Sequence, residues 1–269
     1  MTKGSVEGPP MTAMSLPARA LPFVGARAVT CHVWLSRRLS CPERYLGLLD
    51  DAEQSRAAEF LREQELGLFV TGRVLARAAL GLLAGIPASD VALHTRCPGC
   101  GGSHGKPTPV GAAAGWELSI SHSVSLVAVA VTHGHPLGVD VERYVAPAEP
   151  GIPVEYEMVL TPAERSAVES LASDRQAGAC LTLWTRKEAV LKATGEGLNR
   201  PMDSLTVSAA GQAPAVVGWA DDEPGAHPRI ALVELPRVDG CLGALAVQGA
   251  DTAALILGSG ADMLAERMR

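Results

Sequence analysis

Gly138-Val139-Asp140-Val141-Glu142 and, further on, Trp184-Thr185-Arg186-Lys187-Glu188-Ala189-Val190-Leu191-Lys192 are the stretches on which the reading of this chain turns. In an extended strand successive side chains point to opposite faces, so Asp140 and Glu142 share one face and Val139 and Val141 the other. Two carboxylates side by side repel unless a cation or a proton lies between them. A hard divalent ion such as Mg²⁺ is the natural partner, because it takes oxygen ligands and leaves positions for substrate phosphates. A solvated strand end with two harmless acids satisfies the same pattern. In the second stretch Trp184, Glu188 and Lys192 fall at i, i+4 and i+8 and share one helix face, with Ala189, Val190 and Ala193 available to a buried side. A surface ion pair from Glu188 to Lys192, worth roughly 0.3–0.5 kcal/mol, would give the same spacing.

Around these stretches the pattern alternates between strand and helix. Ala28 to Leu35 alternates as a strand does. Ser40, with Glu43 three residues on, predicts a helix start. Helical stretches follow over Ala52 to Leu61 and Leu66 to Ala84, the latter stopped by Gly85 and Pro87. Val91 to Leu93, Glu117 to Ile120, Leu126 to Val131 and Leu137 to Glu142 read as strands, with Ser121-His122-Ser123 as a loop. Thr161-Pro162-Ala163-Glu164 is a helix start with Thr161 as N-cap. Ala177 to Thr194 is a long helix ended by Gly195, and short strands follow to Val247, with a further short element over Ala253 to Leu257. The coarse order repeats once near residue 135, which predicts an α+β chain of two similar halves, and a cleft between halves is a favoured small-molecule site. The expected organisation is a loose arm over 1–25, an N-terminal half over 26–135, a C-terminal half over 136–258 and a tail over 259–269.

Composition narrows the function classes. The 269 residues include 29 acidic against 23 basic, a formal charge of −6, which argues against a general nucleic-acid footprint. Aromatics are 4%, too few for stacked bases. The strongly apolar run Leu126 to Val131 is far short of the roughly 20 residues that span a bilayer, and no signal peptide is visible. The expectation is a soluble, cytoplasmic monomer with no nucleic-acid or membrane partner. Its six cysteines read as reduced thiols. Cys97 and Cys100, flanked by His94 and His104, have ligand-like spacing for zinc, but only one such Cys pair is present, and a reduced Gly/Cys turn is the preferred reading.

Two further segments suit a phosphate. In Ser119-Ile120-Ser121-His122-Ser123 small hydroxyl residues leave room for a phosphate and His122 can donate to it; a polar hairpin turn would look the same. Lys106, in Gly105-Lys106-Pro107, is either a phosphate-binding cation or a solvated loop lysine.

Taken in order, GVDVE, a 41-residue gap and WTRKEAVLK closely resemble the signature of the phosphopantetheinyl transferases. The upstream His104-Gly105-Lys106-Pro107 and Ser119 to Ser123 segments, and the chain length, match the larger, Sfp-type branch, a pseudo-dimer of two α+β halves with the active site between them. The resemblance covers roughly Ala28 to Val247. It implies transfer of 4′-phosphopantetheine from coenzyme A to a serine of an apo acyl or peptidyl carrier protein, with Mg²⁺ (or Mn²⁺) and release of 3′,5′-ADP. It implies that Asp140, Glu142 and Glu188 hold the metal and that Glu188 helps deprotonate the serine. Lys192 would stabilise the departing ADP, and Lys187 would contact phosphate oxygens. Lys106, Ser121 and His122 would hold the 3′-phosphate region, and Arg56 is similar to a basic coenzyme-binding position. Leu68 stands where many relatives carry Arg, with Arg73 and Arg62 as substitutes. The carrier would dock on Glu157 to Leu171 through Met158, Val159 and Leu160. The large format favours polyketide and nonribosomal peptide carriers; a synthase dedicated to fatty acid synthesis and a non-catalytic coenzyme A or carrier-binding regulator are the rival readings.

Overall fold

Strand β1 (Ala28–Arg37) opens the folded part of the chain, its alternation burying Val29, Cys31 and Val33. A computed structural model describes residues 28–96, 99, 101–102, 105–220 and 227–267; the expected arm over 1–25 and the zinc candidates Cys97, Cys100 and His104 lie outside them. After a short 3₁₀ turn come helices α1 (Asp51–Ala58) and α2 (Glu63–Ala84). Asp50 and Glu53 close a capping box at the start of α1, and Gly85 ends α2 at φ +70°, where a side chain would be strained. The helix start expected at Ser40 is instead a 3₁₀ turn over Pro42–Leu48 that follows Cys41 and has no side-chain cap. A small pair, β2 (Ala92–His94) with β3 (Thr108–Val110), precedes the hairpin β4 (Trp116–Ser123) and β5 (Leu126–His133).

The same order then recurs. Strand β6 (Leu137–Arg143) leads to α3 (Pro162–Glu169), capped by a Thr161–Glu164 box, and to α4 (Ser173–Thr194), which ends on left-handed Gly195. A small pair, β7 (Leu205–Val207) with β8 (Val216–Trp219), precedes β9 (Ile230–Glu234) and β10 (Cys241–Gln248). In the first sheet β5 lies between β1 and β4; in the second β10 lies between β6 and β9, all antiparallel. The two long helices each have 22 residues. Strand β11 (Thr252–Ser259) then returns to the first sheet, parallel to β1, and α5 (Gly260–Arg267) buries Met263 and Leu264 there. The described part of the C-terminal tail is thus a packed helix.

Four layers result. One core joins α2 to the first sheet, a second joins α4 to the second sheet, and a third fills the space between the sheets. Strand β5 is buried on both faces, so its residues read as one apolar run. Helix α2 is long and apolar enough to cross a membrane (mean hydropathy 1.6), yet 72% of that stretch is buried inside the protein, as a core helix is. It is a longer apolar element than the Leu126 to Val131 run suggested.

Candidate active site

Close approach of α4 to β6 builds the site. A Cβ at Gly138 would run into the carbonyl oxygen of Ala189 and, at 2.5 Å, the amide nitrogen of Ala193. Without a side chain there, the helix lies directly on the strand. The face carrying Trp184, Glu188 and Lys192 then overlooks Asp140 and Glu142. Across the seam, β4 supplies Ile120, Ser121 and His122. These eight residues line one pocket of about 260 Å³. Larger cavities of about 520, 500 and 480 Å³ lie elsewhere and gather none of these groups, so convergence of chemistry rather than volume locates the site.

Lys192 holds the centre of the pocket. Its Nζ donates to Asp140 Oδ1 at 2.6 Å and lies 3.8 Å from Glu188 Oε2. Ser121 Oγ donates to the same Asp140 oxygen at 2.9 Å. Asp140 Oδ2 is buried with no hydrogen-bond partner, an arrangement that costs stability unless something else satisfies it. Burial raises the carboxyl pKa of Glu142, against the pull of the Ser123 hydroxyl, and the charge of Asp140 adds to the rise. Glu188 is likewise raised by burial, with Lys192 opposing and Asp140 and Glu142 adding. The imidazole of His122 sits at the rim; desolvation on its protein side, then the Lys192 charge, lower its pKa below the ordinary value.

Among the described residues, no three acidic, histidine or cysteine side chains stand close enough to enclose a metal by themselves. The orphaned Asp140 oxygen and the mutually repelling acids nevertheless fit a cation completed by substrate oxygens. Magnesium is bound in that way, through one or two carboxylates plus phosphates.

The raised acids give a testable sign. A carboxyl whose folded pKa exceeds its unfolded value contributes stability below the unfolded pKa, and that contribution is lost as pH rises through the folded value. Glu188→Gln, neutral at every pH, is therefore expected to raise the unfolding temperature of the chelator-treated protein at neutral pH, with the gain shrinking as pH falls through the carboxylate range. No gain at neutral pH would show that Lys192 more than offsets the cost of ionising Glu188.

Three expected site residues lie elsewhere. Lys187 is wholly buried: its ammonium pairs with Glu164 Oε2 at 2.6 Å and donates to Val159 O at 2.5 Å and Met202 O at 3.0 Å. Three acceptors saturate an ammonium, so the expected phosphate contact is corrected to a structural ion pair. Arg56 lies on α1, half exposed, paired with Glu59 and set over the Phe60 ring. Lys106 donates to Leu137 O at 2.8 Å and Lys192 O at 3.1 Å, tying its loop to the start of β6 and the end of α4. Neither lines the pocket. Arg73 is turned to Glu53 and Arg62 to Glu65, and Leu68 is core. Of the expected docking residues, Met158 is 85% exposed, whereas Val159 and Leu160 are buried core.

The segment Ser121-His122-Ser123 is the end of β4 and not a loop; the turn falls at Val124 and Ser125. Sequence reasoning also passed over what Ser119 and Ser123 do, although their every-second-residue spacing matches that of Asp140 and Glu142.

Acids from a strand, an acid and a lysine from the helix laid on it, and hydroxyls from the facing sheet make a site of the kind that holds a cation beside phosphate oxygens, in an α+β fold. The 4′-phosphopantetheinyl transferase superfamily matches residues 136–243, which hold Asp140, Glu142, Glu188 and Lys192. The chain is 29% identical over 225 residues to the 4′-phosphopantetheinyl transferase HetI of Nostoc sp., covering 81% of this chain and 87% of that protein. It is 24% identical over 180 residues to the 4′-phosphopantetheinyl transferase Sfp of Bacillus subtilis, covering 65% and 74%. A 91-residue stretch is 34% identical to the 4′-phosphopantetheinyl transferase gsp of Aneurinibacillus migulanus, covering 34% and 36%. Residues 136–243 are thus matched by the 4′-phosphopantetheinyl transferase superfamily, and the relatives that the chain resembles over most of its length are enzymes of the Sfp type.

Proposed function

We propose that this enzyme moves 4′-phosphopantetheine from coenzyme A to a serine hydroxyl of an apo carrier protein, with Mg²⁺ (or Mn²⁺), releasing 3′,5′-ADP. The carrying observation is the gathering of Asp140, Glu142, Glu188 and Lys192 with Ser121 and His122 in one pocket. Asp140, Glu142 and Glu188 would hold the ion, which supplies electrostatic stabilisation to the pyrophosphate oxygens. The reaction breaks the bond from the β-phosphorus to the bridging oxygen and forms one to the serine oxygen. Glu188 accepts the serine proton. Lys192 stabilises the charge that grows on the departing phosphate. His122 holds the coenzyme's 3′-phosphate side, whereas the one proton of the Ser121 hydroxyl is already given to Asp140. The carrier docks on Glu157 to Leu171 through Met158, and polyketide or nonribosomal peptide carriers in the cytoplasm are the expected partners of a monomeric enzyme. Incubation with a panel of apo carriers, coenzyme A and Mg²⁺ should add about 340 Da to a carrier serine; no shift on any carrier, with folded enzyme, would overturn the proposal.

Lys192 and His122 should separate kinetically. Lys192→Ala is expected to lower kcat about 10²-fold, by more than it raises KM for coenzyme A, because its partner's charge grows in the transition state. His122→Ala should act mainly on KM, since the 3′-phosphate does not change during reaction. With dephospho-coenzyme A the His122 effect should shrink. An equal loss with both substrates would remove the 3′-phosphate role from His122.

A further inference from the structure

Ser119, Ser121 and Ser123 occupy every second position of β4 and face β6 across the seam between the two sheets. Each hydroxyl accepts a backbone N–H of β6 in register: Val139 N to Ser119 Oγ at 3.0 Å, Val141 N to Ser121 Oγ at 3.3 Å, and Arg143 N to Ser123 Oγ at 3.0 Å. Along its other edge β6 is paired with β10, so three side-chain oxygens stand where a neighbouring strand's carbonyls would.

A hydroxyl that accepts one hydrogen bond still has its own proton to give. Where that proton goes differs between the rungs. Ser121 gives it to Asp140 Oδ1, which Lys192 also holds. Ser123 gives it to Glu142 Oε2 at 2.7 Å. The β6 residue level with Ser119 is Gly138, which has no side chain. Among the described residues Glu142 has no ion pair and Ser123 is its hydrogen-bonding anchor.

We propose that Ser123 is a positioning residue of the active site: held by the Arg143 N–H, its hydroxyl fixes Glu142 Oε2 and so sets how this carboxylate meets a divalent cation. This rests on the reading that Asp140, Glu142 and Glu188 hold the ion. Hydrogen bonds that orient a ligand are worth about 10–100-fold in metal affinity, and Glu142, longer than Asp140 by one torsion and without a lysine, depends on such a bond most.

Ser119 provides the internal control, because it makes the same backbone rung without touching a carboxylate. Mn²⁺ is titrated into the full chain with coenzyme A present, and free Mn²⁺ is followed by its paramagnetic resonance signal. Unfolding temperatures are recorded in parallel. Ser123→Ala is expected to weaken Mn²⁺ binding by about tenfold or more, and Ser123→Thr, which keeps the hydroxyl, to restore most of it. Ser119→Ala should lower the unfolding temperature to a similar extent while keeping wild-type affinity. Should Ser123→Ala not fold, Ser123→Cys keeps the shape with a weak donor and should also bind Mn²⁺ more loosely. Wild-type affinity in the folded Ala or Cys variant would overturn the positioning role while leaving the cation site standing. Equal weakening by Ser119→Ala would assign the effect to the seam and overturn it too. If the wild-type protein and Glu142→Gln bind Mn²⁺ equally poorly, the cation reading itself fails and the proposal falls with it.

Discussion

Asp140→Asn is expected to lower phosphopantetheine transfer about 10³-fold, the scale of losing a charged oxygen ligand at a reacting phosphate, with little change in unfolding temperature. The reasoning starts from the two oxygens of Asp140. One accepts from Lys192 and Ser121, and an amide oxygen can accept from both. The other is buried and unpartnered in the free protein, so the fold does not depend on what stands there. Removing the charge also relieves Glu142 and Glu188, both of which Asp140 pushes upward. Stability lost at the Lys192 pair is therefore offset within the same cluster. The measurements are transfer to an apo carrier at saturating Mg²⁺ and a thermal transition on the same sample. Undiminished transfer by a folded variant would remove Asp140 from the metal site.

The two motifs were legible because their chemistry is local. Alternation placed Asp140 and Glu142 together, and i, i+4 spacing placed Glu188 and Lys192 together. Gly138, the residue that lets helix and strand meet, is itself part of the first motif. The SISHS segment was harder. Serine and histidine are weak strand formers, and β4 extends to Ser123 because its backbone pairs with β5 as far as Leu126, while its hydroxyls satisfy β6, a partner the local sequence does not announce. Nor could any local pattern pair Ala28 with Thr252, which makes the C-terminal strand part of the first sheet. The repeat of element order was visible, but its most specific trace lies in ion pairs. Glu53, in the capping box of α1, pairs with Arg77, fourteen residues after Glu63; Glu164, in the box of α3, pairs with Lys187, fourteen residues after Ser173. Each half locks its short helix to its long helix through the same two positions.

That correspondence decides what Lys187 does, and it predicts a loss of stability rather than of substrate affinity. Lys187→Met keeps the length of the side chain and removes the ammonium. Glu164, 2% exposed at its side chain, is then left charged in the core. It cannot turn away, because its oxygens also accept from Thr161 N and Val207 N at 2.8 Å each. Breaking a buried pair from one side costs about 3–5 kcal/mol, and in a chain of this size each kcal/mol lowers the unfolding temperature by roughly 2–4 °C. The expected drop is therefore about 6–20 °C, measured by thermal unfolding. Below that transition, KM for coenzyme A should stay at the wild-type value, because the ammonium has three protein acceptors and no path to the pocket. Arg77→Met, its counterpart in the first half, should cost less, because Glu53 keeps Arg73 at 3.3 Å. An unchanged unfolding temperature in Lys187→Met, together with a raised KM for coenzyme A, would return Lys187 to the phosphate and overturn the structural assignment.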